Sequence, residues 1–182
     1  MAEIKSSLEL AMERTKKFAI SEKEKEEIRQ KEILQKATSL FHWYREGYVS
    51  LNEILKEIER MEKKTATMVK EFLLSQWINT LSLEEDDDER ILRGIESLKQ
   101  QSIDEIKQNL HHLLSQYQRE KEKAKEKMKI QFTEALRKEG IYGNAVDPKL
   151  EGSELWKKEN EKLNHPYRMK LEKIKEQLRG LE

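Results

Sequence analysis

The sequence predicts an all-α protein, an elongated helical bundle or antiparallel coiled coil with one long extended helix. Charged residues make up 40% of the chain and apolar residues 36%, against about 25% and 45–50% in average globular proteins. Only 6 Gly and 2 Pro interrupt 182 residues. Apolar side chains recur at spacings of three and four, as on one face of an α-helix. Long charged helices that meet along narrow apolar seams account for all three observations.

Two helices are predicted before the first glycine. Residues 3–18 place apolar side chains at helical spacing, which predicts a short amphipathic helix. Ser21 and Glu24 have the spacing of a capping box, in which each side chain bonds the free backbone N–H of the other residue. A second helix should therefore begin after Ser21. Gly47 tolerates the positive φ found just beyond many helices, and we expect it to end this one.

A third helix is predicted from a second capping box, Ser50 with Glu53. The connection before Ser50 is short, so the second and third helices should form an αα-hairpin. An apolar stripe then follows one face for about seven turns of a single helix. Its members are Leu51, Ile54, Leu55, Ile58, Met61, Thr65, Met68, Val69, Phe72 and Trp77.

The fourth helix is predicted to be the longest. Ser82 and Glu85 form a further capping-box pair, and the acidic run 84–89 would lie at the positive end of the helix dipole. Ser102 and Glu105 have the spacing of another cap, so a break or kink there is the alternative. We favour a continuous helix, because the core stripe from Ile91 to Tyr117, which includes Ser102, keeps its phase. Residues 118–131 are charged almost all round, and such a stretch needs a neighbouring helix to stay ordered.

The C-terminal part begins with the one segment in which neutral residues dominate, Gly140–Gly152. Ser153 should cap a short helix, Pro166 should bend or restart it, and Gly180 should end the last helix. These helices either fold back along the extended fourth helix or pair with another chain. The predicted organisation is a helical bundle over 1–139, a loop or hinge over 140–152, and a helical hairpin or tail over 153–182.

Two stretches resemble a family of uncharacterised bacterial all-helical proteins. The opening Glu3–Lys16, EIKSSLELAMERTK, is similar to the start of those proteins. The loop Gly140–Pro148, followed by acidic residues and Trp156, is similar to their second marker. The resemblance implies a bacterial cytoplasmic protein and supplies no catalytic residue.

No residue pattern in the chain predicts a catalytic, cofactor or metal site. The chain has no cysteine, which excludes disulfides, thiol nucleophiles and thiolate zinc sites. A helical di-iron site needs Glu-x-x-His pairs, and no carboxylate lies three residues before any of the four histidines, His42, His111, His112 and His165. Glycine-rich phosphate loops are also absent. We therefore expect no enzymatic activity, no cofactor and no bound metal.

The charge distribution argues against a membrane or nucleic-acid protein. Charged residues in the first 20 positions leave no apolar core for a secretory signal, and no apolar run approaches the ~18 residues of a membrane span. Residues 119–182 hold 17 basic and 13 acidic side chains, against 19 and 23 in residues 1–118. This excess is small for a protein that grips phosphates. We expect a cytoplasmic protein without membrane insertion.

The favoured function is a non-enzymatic helical scaffold, adaptor or stalk-like protein acting through protein–protein contacts. The partner is either another protein or a second copy of the chain in a homodimer. A nucleic-acid-associated protein that uses the basic helix 119–138 is the alternative. The candidate partner-binding residues are Ile141, Tyr142, Asn144, Val146 and Trp156, in which Tyr142 and Trp156 would be aromatic anchors. A hinge that lets the last helices fold back is the other interpretation of this loop.

Overall fold

The computed structural model describes residues 21–84, 88–140, 150 and 152–181. These residues form six α-helices and no strand, which confirms the all-α prediction. The predicted helix over residues 3–18 lies outside the described part of the chain. In chain order the helices are α1 (Glu22–Glu46), α2 (Leu51–Glu59), α3 (Lys63–Thr80), α4 (Asp88–Lys99), α5 (Asp104–Lys138) and α6 (Glu154–Gly180).

The chain divides into two compact units, Met1–Leu73 and Leu74–Glu182. The boundary falls inside α3, so this helix contributes residues to both units. The sequence has no Gly, Pro or loop at this boundary. The two units are distinguished only by which residues pack together.

The first unit contains the predicted αα-hairpin. Ser21 and Ser50 cap α1 and α2, each with both hydrogen bonds of a capping box, and Gly47 ends α1 at φ 87°. An ion pair of 2.5 Å between Lys36 and Glu57 joins the two helices. The buried side chains of the hairpin are Ala37, Leu40, Phe41, Tyr44, Ile54 and Ile58.

The predicted third helix is two helices, α2 and α3, so the prediction of one continuous helix is wrong. Residues 60–62 contain neither Gly nor Pro, and the N–H of Met61 bonds the carbonyl of Ile58 at 3.1 Å, closing a tight i,i+3 turn. Arg29 of α1 forms an ion pair with Glu62 in this turn. Neither a Gly nor a Pro therefore signals this break in the sequence, and the exposed ion pair with Arg29 lies beside it.

The fourth helix begins at Asp88, not at Ser82 as predicted. The Ser82 hydroxyl accepts a hydrogen bond from the Glu84 N–H at 3.3 Å, which makes a local turn in place of a helix cap. Leu81 and Leu83 are both buried, with 1% and 7% of their surface exposed. The irregular segment between α3 and α4 therefore places two leucines in the core.

The helix does not continue through Ser102, which corrects a second expectation. α4 ends at Lys99, Gln100 adopts a left-handed φ of 53°, and α5 begins at Asp104. Ser102 was expected in the core stripe but is exposed, whereas its neighbour Ile103 is 2% exposed. The break between the two helices therefore places an isoleucine in the core and leaves the serine in solvent.

The C-terminal residues form one helix, α6, where two were expected. Ser153 caps it as predicted, accepting a hydrogen bond from the Trp156 N–H at 3.1 Å. Pro166 lies inside the helix and is exposed. A proline removes one helical hydrogen bond, and water can satisfy the freed carbonyl on an exposed face. α6 packs along α5 with opposite chain direction, since the residues near Tyr117 meet those near Asn164 and residues 124–135 meet 155–163.

Candidate protein-binding groove

A groove lies between the second half of α5 and the first half of α6, within the second unit. It encloses a volume of about 710 Å³. Its floor is apolar and is lined by Ala124, Met128, Phe132 and Ala135 of α5 and by Leu155 and Leu163 of α6. Leu155 is 61% exposed, and Met128, Phe132 and Leu163 are half-buried. The groove is thus an apolar surface that the chain covers only in part.

The spacing of the apolar residues explains why the groove stays open. On α5 the floor residues recur at intervals of four, four and three, which places them in one narrow row. α6 adds Leu155 and Leu163, eight residues apart. Two such rows make a seam one side chain wide, whereas a helix buried in a globular core usually carries a broader apolar stripe. The two helices therefore contact each other without closing the space between them.

Lysines dominate the rim of the groove. The charged residues that line it are Lys123, Lys127, Lys158, Lys162, Glu120 and Glu159. Each glutamate pairs with a lysine three residues further along its own helix, at 2.9 Å on α5 and 3.6 Å on α6. No carboxylate of the described chain forms an ion pair with Lys127 or Lys158, one from each helix. The rim therefore offers two cations on opposite sides of an apolar floor.

A polar cluster with a buried centre, Tyr117 and Asn164, lies where α5 and α6 pack together. The Tyr117 side chain has no exposed surface, and its hydroxyl donates to Asn164 Oδ1 at 2.8 Å. Glu84 Oε1 lies 3.3 Å from the same hydroxyl and accepts from Lys121 Nζ at 2.8 Å. Because a hydroxyl carries one proton, the shorter contact to Asn164 is its main hydrogen bond. The cluster fixes the register of α6 on α5 and positions the groove.

The Tyr117 ring also organises the cations and aromatic rings around it. Lys121 Nζ lies 5.3 Å from the ring centroid, within cation–π range. Tyr167 contacts the ring edge-on at 5.4 Å between centroids. The contact with Tyr167 joins α5 to α6 beside the Tyr117–Asn164 hydrogen bond, whereas the contact with Lys121 lies within α5.

Hydrogen bonding and burial shift the pKa values of the cluster. The hydrogen bond from Lys121, followed by its charge, lowers the pKa of Glu84. Burial lowers the pKa of Lys121, but its hydrogen bonds to Glu84 and Tyr117 outweigh burial, so that the pKa is raised. Burial raises the pKa of the Tyr117 hydroxyl. At neutral pH the Glu84 carboxylate and the Lys121 ammonium are therefore both charged, and they form an ion pair.

Glu84→Gln is expected to make the free energy of unfolding less dependent on pH in the acid range. A carboxylate whose pKa is lowered on folding stabilises the protein above its unfolded pKa of about 4.3, and this contribution is lost as pH falls through the folded pKa. The wild type should therefore exceed the variant by about 0.5 kcal/mol at pH 7, the range of exposed pairs, and lose this advantage below about pH 4. Urea unfolding at a series of pH values measures the difference.

Lys121→Met provides the control for the acid prediction. In that background Glu84 has lost its cation, so Glu84→Gln should change the free energy of unfolding by much less at pH 7. A pH-independent difference between wild type and Glu84→Gln would contradict the assignment of Glu84 as the titrating partner.

A second cleft of about 470 Å³ lies beside the polar cluster. It is lined by cations and anions in equal number, Arg168 and Lys175 against Glu84 and Glu172. The Lys175 ammonium donates to the backbone carbonyl of Asn79 at 3.4 Å and pairs with Glu172 at 3.2 Å. The contact between Lys175 and Asn79 thus connects α6 to α3. Since the charges that line the cleft are balanced, the cleft has no net charge that would select a charged ligand.

Of the five predicted partner-binding residues, the structure describes only Trp156. Its side chain is 7% exposed, so it packs in the interior and presents little surface to a partner. Ile141, Tyr142, Asn144 and Val146 lie outside the described residues, and their role stays a prediction. The exposed neighbour Leu155 lines the groove instead.

The expectation of no metal site was based on the four histidines. All four are exposed in the structure. Within the described ranges no group of three His, Cys, Asp or Glu side chains is arranged to hold an ion. Likewise, no described helix has the length and apolar character needed to cross a membrane.

Sequence reasoning found the apolar row on α5 but not the groove. The sequence predicts that the charged stretch 118–131, with few apolar residues, needs a neighbouring helix. The missing information was which residues of α6 lie opposite. The spacing of Leu155 and Leu163 on one side of α6 was the available signal, and only the register set at Tyr117 and Asn164 places them against α5.

The fold and the groove define an all-α protein with an open, lysine-rimmed helical surface. The model of a family of unknown function, DUF6657, matches residues 55–180, well over half of the chain. The chain therefore belongs to this family. The match includes the Gly140–Pro148 loop and Trp156 but not the opening Glu3–Lys16. Comparison with curated proteins and with solved structures gives no match.

Proposed function

We propose that the protein is a non-enzymatic adaptor or scaffold that binds a partner protein in the groove between α5 and α6. The observation that carries the proposal is the apolar floor, in which Met128, Phe132 and Leu163 are half-buried although no described residue covers them. Docking of a helix into such a groove is a common mode of peptide recognition. The partner would supply the apolar area that the two narrow rows lack.

The polar cluster supports the same proposal because it gives the groove a rigid base. A binding surface on packed helices loses less conformational entropy on association than a surface on loops. Tyr117 and Asn164 fix the two helices beside the groove, and their hydrogen bond is buried. The proposal also places the protein in the bacterial cytoplasm, and a chain without cysteine has no disulfide to lose in that reducing compartment.

Photo-crosslinking in the source cells tests the proposed function. A photoreactive phenylalanine at Gln131, which lines the groove, should give a discrete protein adduct. The same residue at Ile130, which is 54% exposed and does not line the groove, is the matched control and should give none. The second substitution Phe132→Asp should abolish the adduct at Gln131, since a charge in the apolar floor opposes docking. Equal adducts at the two positions, or none, would contradict the proposal.

A further inference from the structure

We infer that the groove between α5 and α6 accepts an acidic amphipathic helix, one whose apolar stripe is flanked by Asp or Glu. The inference rests on the proposed function and adds the chemistry of the partner. Three observations support it: the apolar floor of the groove, the charges of its rim, and the repulsion that two such rims would meet in a two-fold dimer.

The floor matches the apolar side of a helix. Ala124, Met128 and Phe132 lie at successive intervals of four on α5, so they line the groove lengthwise over about two turns. A partner helix that lies parallel to the groove would present its own i, i+4 and i+7 side chains to this row. Met128 is an adaptable contact because its unbranched thioether fits different apolar shapes.

The rim selects the charge of the partner. Both rim glutamates are paired with lysines of their own helices, which leaves Lys127 on α5 and Lys158 on α6 without a carboxylate among the described residues. These two lysines line the groove from the two different helices that form it. Acidic side chains on both flanks of a docked helix would pair with them, whereas basic flanks would be repelled.

The same charges argue against a second copy of the chain seated groove to groove. In a two-fold dimer each surface meets itself, so the lysine-rich rims would face each other. Like charges in that position oppose association. The occupant is therefore a different, acidic helix, and the protein alone should remain at 21.8 kDa in light scattering.

Methyl NMR of the full-length protein tests the inference with two synthetic peptides. Both have about 18 residues, or five helical turns, with a Leu stripe at i, i+4, i+7 and i+11. The acidic peptide carries Glu beside the stripe, and the basic peptide carries Lys at the same positions. With ¹³C-methyl methionine, the acidic peptide should shift Met128 in the groove and leave Met169, which is 54% exposed on α6, unchanged. The acidic peptide should bind at least about tenfold more tightly than the basic one.

Three variants separate the contributions. Phe132→Asp should abolish the Met128 shift with either peptide, and Ile130→Asp is the matched control that should retain it. Lys127→Glu together with Lys158→Glu should remove or reverse the preference for the acidic peptide. Added salt should weaken the binding of the acidic peptide and reduce the difference in affinity between the two peptides, since the contacts are between exposed charges.

The outcomes distinguish this inference from the proposed function. If both peptides shift Met128 with equal affinity, the acidic partner is overturned while the groove remains a docking site. If neither peptide shifts Met128, the inference is overturned, and the proposed function is decided separately by crosslinking at Gln131. Displacement of the acidic peptide by a duplex DNA oligonucleotide would overturn the inference in favour of nucleic acid. A dimer mass in light scattering would overturn it in favour of a second copy of the chain.

Discussion

Gly94→Ala is expected to destabilise the protein by up to about 2 kcal/mol, an overpacking cost of about 1–3 kcal/mol less the gain of about 1 kcal/mol from the better helix former. Gly94 lies inside α4, and a Cβ built at this position would be 2.8 Å from Cζ3 of Trp77. Trp77 has no exposed surface, so its ring cannot move without displacing the core. The cost of overpacking therefore exceeds the gain of about 1 kcal/mol that alanine normally brings to a helix interior. Urea unfolding followed by circular dichroism measures the change.

Gly180→Ala is the matched control for the Gly94 substitution. Gly180 is also helical, and no atom lies within 4 Å of the position that its Cβ would occupy. Its replacement should leave the free energy of unfolding unchanged or raise it by up to about 1 kcal/mol. In addition, Trp77→Phe should cost less in the Gly94→Ala background than in the wild type, because the smaller ring makes room for the methyl group. Equal stability of Gly94→Ala and wild type would contradict the contact with Trp77.

Tyr117→Phe is expected to cost about 1–3 kcal/mol of stability, the penalty for leaving a buried acceptor without its donor. The ring would still fill its site, but Asn164, which is 5% exposed, would lose the hydrogen bond from the Tyr117 hydroxyl. Water can replace this donor only if it enters the interface between α5 and α6. The loss should appear in urea unfolding as a lower midpoint with an unchanged slope.

Tyr48→Phe is the control for the loss of a hydroxyl alone. Tyr48 is 76% exposed, and its substitution should change stability by less than about 0.5 kcal/mol. Asn164→Leu should be less costly in the Tyr117→Phe background than in the wild type, because both hydrogen-bonding groups are then absent. Additive effects of the two substitutions would show that the hydroxyl and the amide do not interact.

The helix caps show how much of the fold local sequence predicts. Ser21, Ser50 and Ser153 all begin helices where their spacing predicted, and Gly47 ends α1. In each case the signal and the structure lie within a few residues, so no distant contact has to be known. At Ser82 the capping-box spacing did not start a helix, because the Ser82 hydroxyl accepts from the Glu84 N–H in a local turn and α4 begins only at Asp88.

The groove shows why a site made of two helices is harder to predict than either helix. The sequence predicts that the charged stretch 118–131 needs a neighbouring helix, but it does not predict which residues of that helix lie opposite. Which lysines keep a free charge depends on the pairs at Glu120 and Glu159, and thus on side-chain geometry. The tyrosine and asparagine that set the register are 47 residues apart, and neither is part of a motif.

The sequence by itself determined the all-α class, the capped starts of three helices, the αα-hairpin and the narrow apolar seams. These features follow from the spacing of residues within a few turns, where local hydrogen bonds and side-chain periodicity dominate. The tertiary structure alone decided the breaks after Glu59 and Lys99, the single C-terminal helix and the open groove. The groove depends on contacts between residues far apart in the chain, such as Tyr117 with Asn164. At the break after Lys99, Ile103 is buried and Ser102 is exposed, because burial of an isoleucine side chain outweighs the local preference for a continuous helix.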